Sequence, residues 1–251
     1  IDINNETIRY QARIECAIEK MLDEFNCSAF TNTFEDLWGM NQLPGIASQD
    51  LMRKGYGYGG EGDWKVAALT HVIKQMGNGE PGGTSFMEDY TYDLEIGNEV
   101  VLGSHMLEIC PTVAAGSIKA EIHPLGIGNR KDPARLVFEG KKGEAIVSSL
   151  IDMGNRLRLI VQEINVIKPI LEMPNLPVAR VMWEPYPDLY SGVEAWILAG
   201  GSHHTVLSHQ VNVEQLRDFS NCMGIEFVCI DKNLNFNQFK DMLELKDIAW
   251  G

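Results

Sequence analysis

The sequence predicts an α/β layer that gives way to a β-rich barrel or sandwich and returns to α/β at its end. Three observations carry this. Residues 5–76 alternate helical periodicity with short β-prone and glycine-rich stretches, the texture of helices laid on strands. Between residues 84 and 184, short segments rich in β-formers follow one another, separated by Gly, Pro and Asn. From residue 213 a succession of helix, strand and helix returns. The chain has 251 residues, of which 45% are hydrophobic and 22% charged. That is the size and composition of a folded protein with a substantial core.

Ile8, Ala12, Cys16, Ile18, Met21, Leu22 and Phe25 recur at amphipathic spacing and predict a helix over residues 5–25 with these side chains on its buried face. A β-prone stretch follows at 27–33, a Pro-Gly turn at 42–45 and a short helix at 49–54. Residues 55–63 form a glycine-rich loop with no clear strand before it. Asp63 is placed to cap a helix over 64–76, whose apolar row is Trp64, Ala68, Val72 and Met76, with Leu69 and Ile73 beside it. Gly77 and Gly79 end that helix, and Pro81-Gly82-Gly83 makes a turn. The texture changes near residue 84, where a domain boundary is expected. Strands are expected at 84–94, 100–110, 120–125, 134–138, 145–151, 156–166 and 179–184, with few helical patterns between them. A helix over 213–223, a strand over 225–231 and a helix over 236–245 complete the chain.

Lys plus Arg number 21 against 35 Asp plus Glu, a formal net charge of −14. So acidic a surface repels phosphate backbones and anionic membranes, which points away from nucleic acid and membrane partners. A neutral small molecule, or a cation held by carboxylates, fits better. No apolar run approaches the ~18 residues of a membrane span, and no signal peptide is visible. The five cysteines are odd in number and form no CxxC pair. We therefore expect buried free thiols in a reducing compartment, the cytoplasm, rather than disulfides or structural zinc. Ile1 stands where an initiator Met would, so a processed start or a piece of a longer protein is expected.

The glycine-rich loop lacks Gly-Lys-Ser/Thr, and its G-x-G-x-x-G places Glu61 where a pyrophosphate would lie. It suits a backbone that comes close to something while Glu61 and Asp63 point at a cation or a polyhydroxyl compound. Glu88-Asp89 sit in a strand, so one carboxylate faces each side; an exposed edge is the plainer alternative. His105 lies within an apolar strand and is either a hydrogen-bonded core residue or a ligand. Gly200-Gly201-Ser202-His203-His204 places two histidines after a double glycine. On extended chain they point opposite ways, so one of the pair would enter a given site; surface clustering is the alternative. Together, two carboxylates and two histidines make a mixed oxygen and nitrogen set suited to Mn²⁺, Co²⁺ or Fe²⁺. The absence of thiolates from it disfavours structural zinc.

Longer stretches carry a resemblance. Glu61-Gly62-Asp63-Trp64-Lys65, Gly82-Gly83-Thr84-Ser85-Phe86-Met87-Glu88-Asp89-Tyr90-Thr91-Tyr92 and Leu102-Gly103-Ser104-His105-Met106-Leu107-Glu108 resemble the L-arabinose isomerase family. So do Leu125-Gly126-Ile127-Gly128, Asp132-Pro133-Ala134-Arg135-Leu136 and Ala195-Trp196-Ile197-Leu198-Ala199-Gly200-Gly201 with His203-His204-Thr205. Phe34-Glu35-Asp36-Leu37 and Gln42-Leu43-Pro44-Gly45 extend the match towards the N-terminus.

The resemblance implies a partial, Rossmann-like α/β layer, the remainder of a central domain over 1–84. It implies a C-terminal antiparallel β-barrel domain with helices over 85–251. It implies isomerisation of L-arabinose to L-ribulose, and of D-galactose to D-tagatose. Mn²⁺, with Co²⁺ as an alternative, would sit on Glu61, Glu88, His105 and His204, the two glutamates doubling as the acid/base pair of an enediol mechanism. A hydride shift would need no such base. Phe34, Ile127 and His203 match positions lining the sugar pocket. The family chain is about twice this length and forms trimer-based hexamers or tetramers. In these a neighbouring subunit's N-terminal domain closes the site, and that domain has no counterpart here. Two other readings stand beside this one: a metal- or sugar-binding fragment without turnover, and a sugar isomerase of the L-fucose type, against which the detailed motifs count.

Overall fold

The computed structural model describes residues 5–77 and 83–250. The first layer opens with helix α1 (Glu6–Phe25), capped by the Asn5 side chain and ended by Asn26 in left-handed conformation. Its buried stripe is Gln11, Ile14 and Leu22, whereas Ala12, Cys16, Met21 and Phe25 are exposed. The expected face is therefore rotated. A polar side chain sets it: Gln11 donates to Gln42 Oε1 (3.0 Å) and the Leu43 carbonyl (2.9 Å) and accepts from Ala47 N–H (3.3 Å). Hydrophobic periodicity gives no weight to such an anchor.

Strand β1 (Ala29–Thr31), helix α2 (Ile46–Arg53) and strand β2 (Gly57–Gly59) follow, with β1 and β2 paired in parallel. The glycine-rich segment thus contains a strand that the sequence did not reveal. The glycines are needed because α3 (Trp64–Met76) presses on β2. An added Cβ would lie 2.1 Å from the Ala67 carbonyl oxygen at Gly57 and 2.2 Å from that of Asp63 at Gly59. Asp63 caps α3 as expected, accepting from Val66 N–H at 3.0 Å, and Gly77 ends it. The buried face of α3 is Val66, Ala67, Leu69, Thr70 and Ile73, while Trp64 and Ala68 are exposed, which corrects the expected apolar row. Gly79 and the Pro81-Gly82 part of the expected turn lie outside the described residues.

The second layer is a closed barrel of six antiparallel strands in the order β3 (Thr84–Asp93), β4 (Val100–Ser104), β9 (Arg180–Pro185), β8 (Leu157–Ile167), β7 (Gly143–Asp152) and β10 (His204–Ser208). Strand β8 divides its length. Its first half pairs in parallel with an extra strand, β11 (Glu226–Ile230), and its second half closes the barrel on β9. Strands β5 (Lys119–Ile122) and β6 (Ala134–Val137) form a separate antiparallel ribbon. Helices α4 (Leu189–Leu198), α5 (Val213–Met223) and α6 (Phe236–Trp250) lie around the barrel. Helix α4 was not expected, and the strand expected over 100–110 stops at Ser104.

One core fills the barrel, with Met87, Val147, Ile160, Val181, Trp183 and Leu207, and reaches α4 and α6 through Trp196 and Phe239. A second lies outside the wall, where Phe86, Ile146, Leu159 and Val206 meet Tyr58 of β2, Leu69 and Ile73 of α3 and Leu216 of α5. All five thiols are free, but Cys16, Cys27 and Cys222 are exposed, Cys229 is half-buried and Cys110 is buried, so the expectation of buried thiols fails for most. No described helix is long and apolar enough to cross a membrane.

Candidate active site

The site lies on the outer face of the barrel wall, under the β2–α3 turn. Strand register builds half of it. His204 on β10 stands opposite Glu88 on β3, and Glu88 stands opposite Ser104 on β4. Met87 turns into the barrel core, so Glu88 turns out. Strand β3 lies between β10 and β4, so Glu88 is not at a sheet edge. Asp89 takes the opposite side, where the Tyr92 hydroxyl donates to it and burial, helped by the Glu88 charge, pushes its carboxyl up to about 7.

His105 follows β4 directly and is 1% exposed, in a turn rather than within a strand. The turn carries Glu108 back beneath it: one Glu108 oxygen holds His105 Nδ1 and accepts from Leu107 N–H at 3.0 Å. Burial opposes a charge on His105. The Glu108 carboxylate outweighs that, with Glu88 and Glu61 adding to it, and the imidazole is held above its ordinary pKa. Nδ1 is thereby committed and Nε2 is the nitrogen left to face the site.

The other half is the Gly60–Asp63 turn. Glu61 has φ 55°, a left-handed conformation that a non-glycine residue adopts at a cost of roughly 1–2 kcal/mol. Backbone bonds from Asp63 N–H to the Gly60 carbonyl (2.9 Å) and from Gly62 N–H to the Asn32 carbonyl (3.1 Å) hold it. Gly60 sits so close to the barrel that an added Cβ would come within 3.1 Å of His105 Nε2 and 3.2 Å of Phe86 Cζ.

These pieces converge on His204, whose Nδ1 lies 3.3 Å from Asp63 Oδ2 and whose Nε2 lies 3.7 Å from Glu61 Oε2. Although burial raises it, the Asp63 carboxyl ends below its usual value because His204 and the Val66 N–H favour its charged form. His203 Nε2 lies 3.8 Å from Glu88 Oε1. The His105 and His204 rings are 6.1 Å apart, with Phe86 edge-on to both at 5.0 and 5.2 Å. Glu61, His203 and His204 offer ligand atoms that all lie within 4.8 Å of one another. Here the sequence expectation needs correction: His203 precedes β10 and is free of its alternation, so both histidines face the same site, their rings 4.3 Å apart. His105 and Glu88 flank this trio. Phe34 stacks on His105 at 6.3 Å, and Ile127 packs in a small cluster with Phe34, Leu43 and Leu107.

The arrangement suits a cation. His204 Nε2 is buried without a hydrogen-bond partner, although its Nδ1 is held by a carboxylate. Such a nitrogen is costly unless something accepts its lone pair, and a carboxylate behind a ligating imidazole is the usual support. Among the described residues, the donors around it are oxygen and nitrogen, with no thiolate. Sequence reasoning missed Glu108 as the orienting partner of His105, and Phe86 as the wedge between the two buried rings. The spacing of His105 and Glu108 was the only signal, and it has meaning only once β4 is known to end at Ser104.

Residues 83–226 match the family model of the L-arabinose isomerase C-terminal domain, and residues 2–79 that of the L-arabinose isomerase central domain. The L-arabinose isomerase of Geobacillus stearothermophilus is 56% identical over 245 residues, covering 98% of this chain and 49% of that protein. That of Anoxybacillus flavithermus is 55% identical over 246 residues, with 98% and 49% covered. That of Thermotoga petrophila is 54% identical over 246 residues, with 98% and 50% covered. The chain therefore spans about half the length of the curated relatives it matches.

Proposed function

The chain belongs to the L-arabinose isomerase family, and from that premise we propose that it supplies the active site of an aldose–ketose isomerase acting on L-arabinose, and on D-galactose as a second substrate. The observation that supports this most directly is the buried, unpartnered Nε2 of His204 beside Glu61 and His203. In this proposal residues 1–84 are the remainder of the central domain and 85–251 the C-terminal domain.

Glu61, Glu88, His105 and His204 would hold Mn²⁺ or Co²⁺, and bound there the ion would supply a Lewis acid that polarises the carbonyl of the open-chain sugar. The proton work falls to the glutamates. One removes the C2 proton, O1 gains the proton that O2 gives up, and a glutamate returns a proton to C1, passing through a cis-enediol. Glu61 is the more exposed of the two side chains and Glu88 the more sheltered. Asp63 and Glu108 fix the two imidazoles from behind. Phe34 and Ile127 would give the sugar an apolar wall, and exposed His203 a polar contact at the mouth. The assembly would be a cytoplasmic trimer-based hexamer or tetramer, with a neighbouring subunit's N-terminal domain closing the site.

Ketose formation from L-arabinose with added Mn²⁺ tests this in the wild type, Glu61→Gln and Glu88→Gln. Each variant is expected to lose roughly 10²–10⁴-fold in turnover; retained turnover in either would sink the two-glutamate mechanism. A second reading is favoured by the half-length match: the chain binds metal or sugar without turnover. In that case Mn²⁺ raises the melting temperature of this chain and no ketose appears.

A further inference from the structure

His105 must be held in one attitude, yet its turn lies beyond the last ladder position of β4. Buried side chains hold it instead. Gln49, on α2, donates to the Ile109 carbonyl (2.9 Å) and the Leu136 carbonyl (3.1 Å) and accepts from Leu136 N–H (2.7 Å). Ser85 Oγ accepts from Cys110 N–H at 2.8 Å. Both fix the far end of the turn. The near end, beside His105, is reached by Arg135 of β6, which is 3% exposed. Its guanidinium donates to the Met106 carbonyl (3.3 Å) and to the His123 carbonyl (2.9 Å), so it ties the turn to the β5–β6 ribbon.

Arg135 Nε and Glu108 Oε1 are each buried without a hydrogen-bond partner. Burial lowers the Arg135 guanidinium from its ordinary pKa, and the Glu108 charge is the largest of those that oppose this. A planar fork that spans two carbonyls is a task for arginine and not for lysine. Resting on the metal reading above, we propose that Arg135 is a positioning residue for the metal site. It clamps the His105–Glu108 turn to the ribbon and keeps the Glu108 carboxylate against His105 Nδ1, so that Nε2 is presented to the ion.

The test compares wild type, Arg135→Lys, Arg135→Met and His105→Gln in the full chain. Mn²⁺ affinity is read by titration of the free-ion spin resonance signal, ligand geometry by the visible spectrum of bound Co²⁺, and folding by melting of the metal-free protein. Arg135→Met is expected to weaken Mn²⁺ binding by roughly 10–100-fold and to move the Co²⁺ spectrum towards that of His105→Gln. Arg135→Lys should fall between, and it carries the test if Arg135→Met does not fold. Wild-type affinity and spectrum in the folded variants, even with a lowered melting temperature, would overturn the proposal by reducing Arg135 to a packing role. A wild type that binds neither ion would overturn the metal reading and this proposal with it, and the wild-type arm alone separates that failure from the first.

Discussion

Asp63 serves two structures with one carboxylate: one oxygen caps α3 at Val66 N–H and the other faces His204 Nδ1. The two roles can be separated because asparagine caps helices as well as aspartate does. Asp63→Asn should keep the helix cap, lower the metal-free melting temperature only by what the His204 interaction contributes, and weaken Mn²⁺ binding by roughly 10–100-fold. Asp63→Ala should lose, in addition, about 1 kcal/mol of stability; melts with and without Mn²⁺ check both. His209 gives a pH dependence away from the site. Burial, with Lys141 adding, holds its imidazole below the ordinary value, although its ring also meets the Glu144 carbonyl at 2.9 Å. A folded pKa below the unfolded one means that the unfolded chain takes up the proton first. This contribution is therefore complete above about pH 6.5 and is lost as pH falls towards the folded value. Melting temperatures between neutral and mildly acidic pH should fall less steeply in His209→Gln than in the wild type.

At the scale of elements, contact between α3 and β2 fixes the Glu61 turn. Gly57 has no room for a side chain: an added Cβ would lie 2.1 Å from the Ala67 carbonyl oxygen and 2.8 Å from His71 Cβ. Backbone cannot yield as a flexible side chain can, so Gly57→Ala should cost roughly 1–3 kcal/mol by overpacking. Gly126→Ala, where an added Cβ meets nothing within 4 Å, is the control and should stay within about 0.5 kcal/mol. Equal thermal stability of the two would deny that this close approach matters. The limits of α3 were legible because caps are local chemistry: Asp63 accepts from the first turn and Gly77 ends the helix. The faces of α1 and α3 were not legible, because Gln11 and Thr70 are buried by hydrogen bonds that only a folded neighbour supplies.

At the scale of the molecule, a buried charge cluster ties the C-terminal helix to the barrel. Glu226, with no exposed side-chain surface, meets Arg156 Nε at 2.5 Å and Arg158 Nε at 3.0 Å. Asp247 of α6 bridges the same two guanidiniums from the more exposed side, and Arg158 also donates to the Ala199 carbonyl at 2.8 Å. Glu226→Ala would leave two buried cations without their inner partner, a loss of roughly 3–5 kcal/mol. Asp247→Ala, on the solvent side, should cost much less. Chemical denaturation of both variants checks the order, and equal losses would contradict it.

By itself the sequence determined the family and most of the succession of elements, though not β2 or α4, because capping and periodicity are properties of short stretches of chain. Only the tertiary structure decided that β8 divides itself between β11 and β9 to close the barrel. It also decided that His203 and His204 share one site, and that Asp63 and Glu108 stand behind the two buried imidazoles. Register between distant strands brings Glu88 to His204 and a turn beyond β4 brings Glu108 under His105. Such juxtapositions depend on which strands pair and where each ladder stops, quantities that burial and hydrogen bonding settle for the whole chain at once.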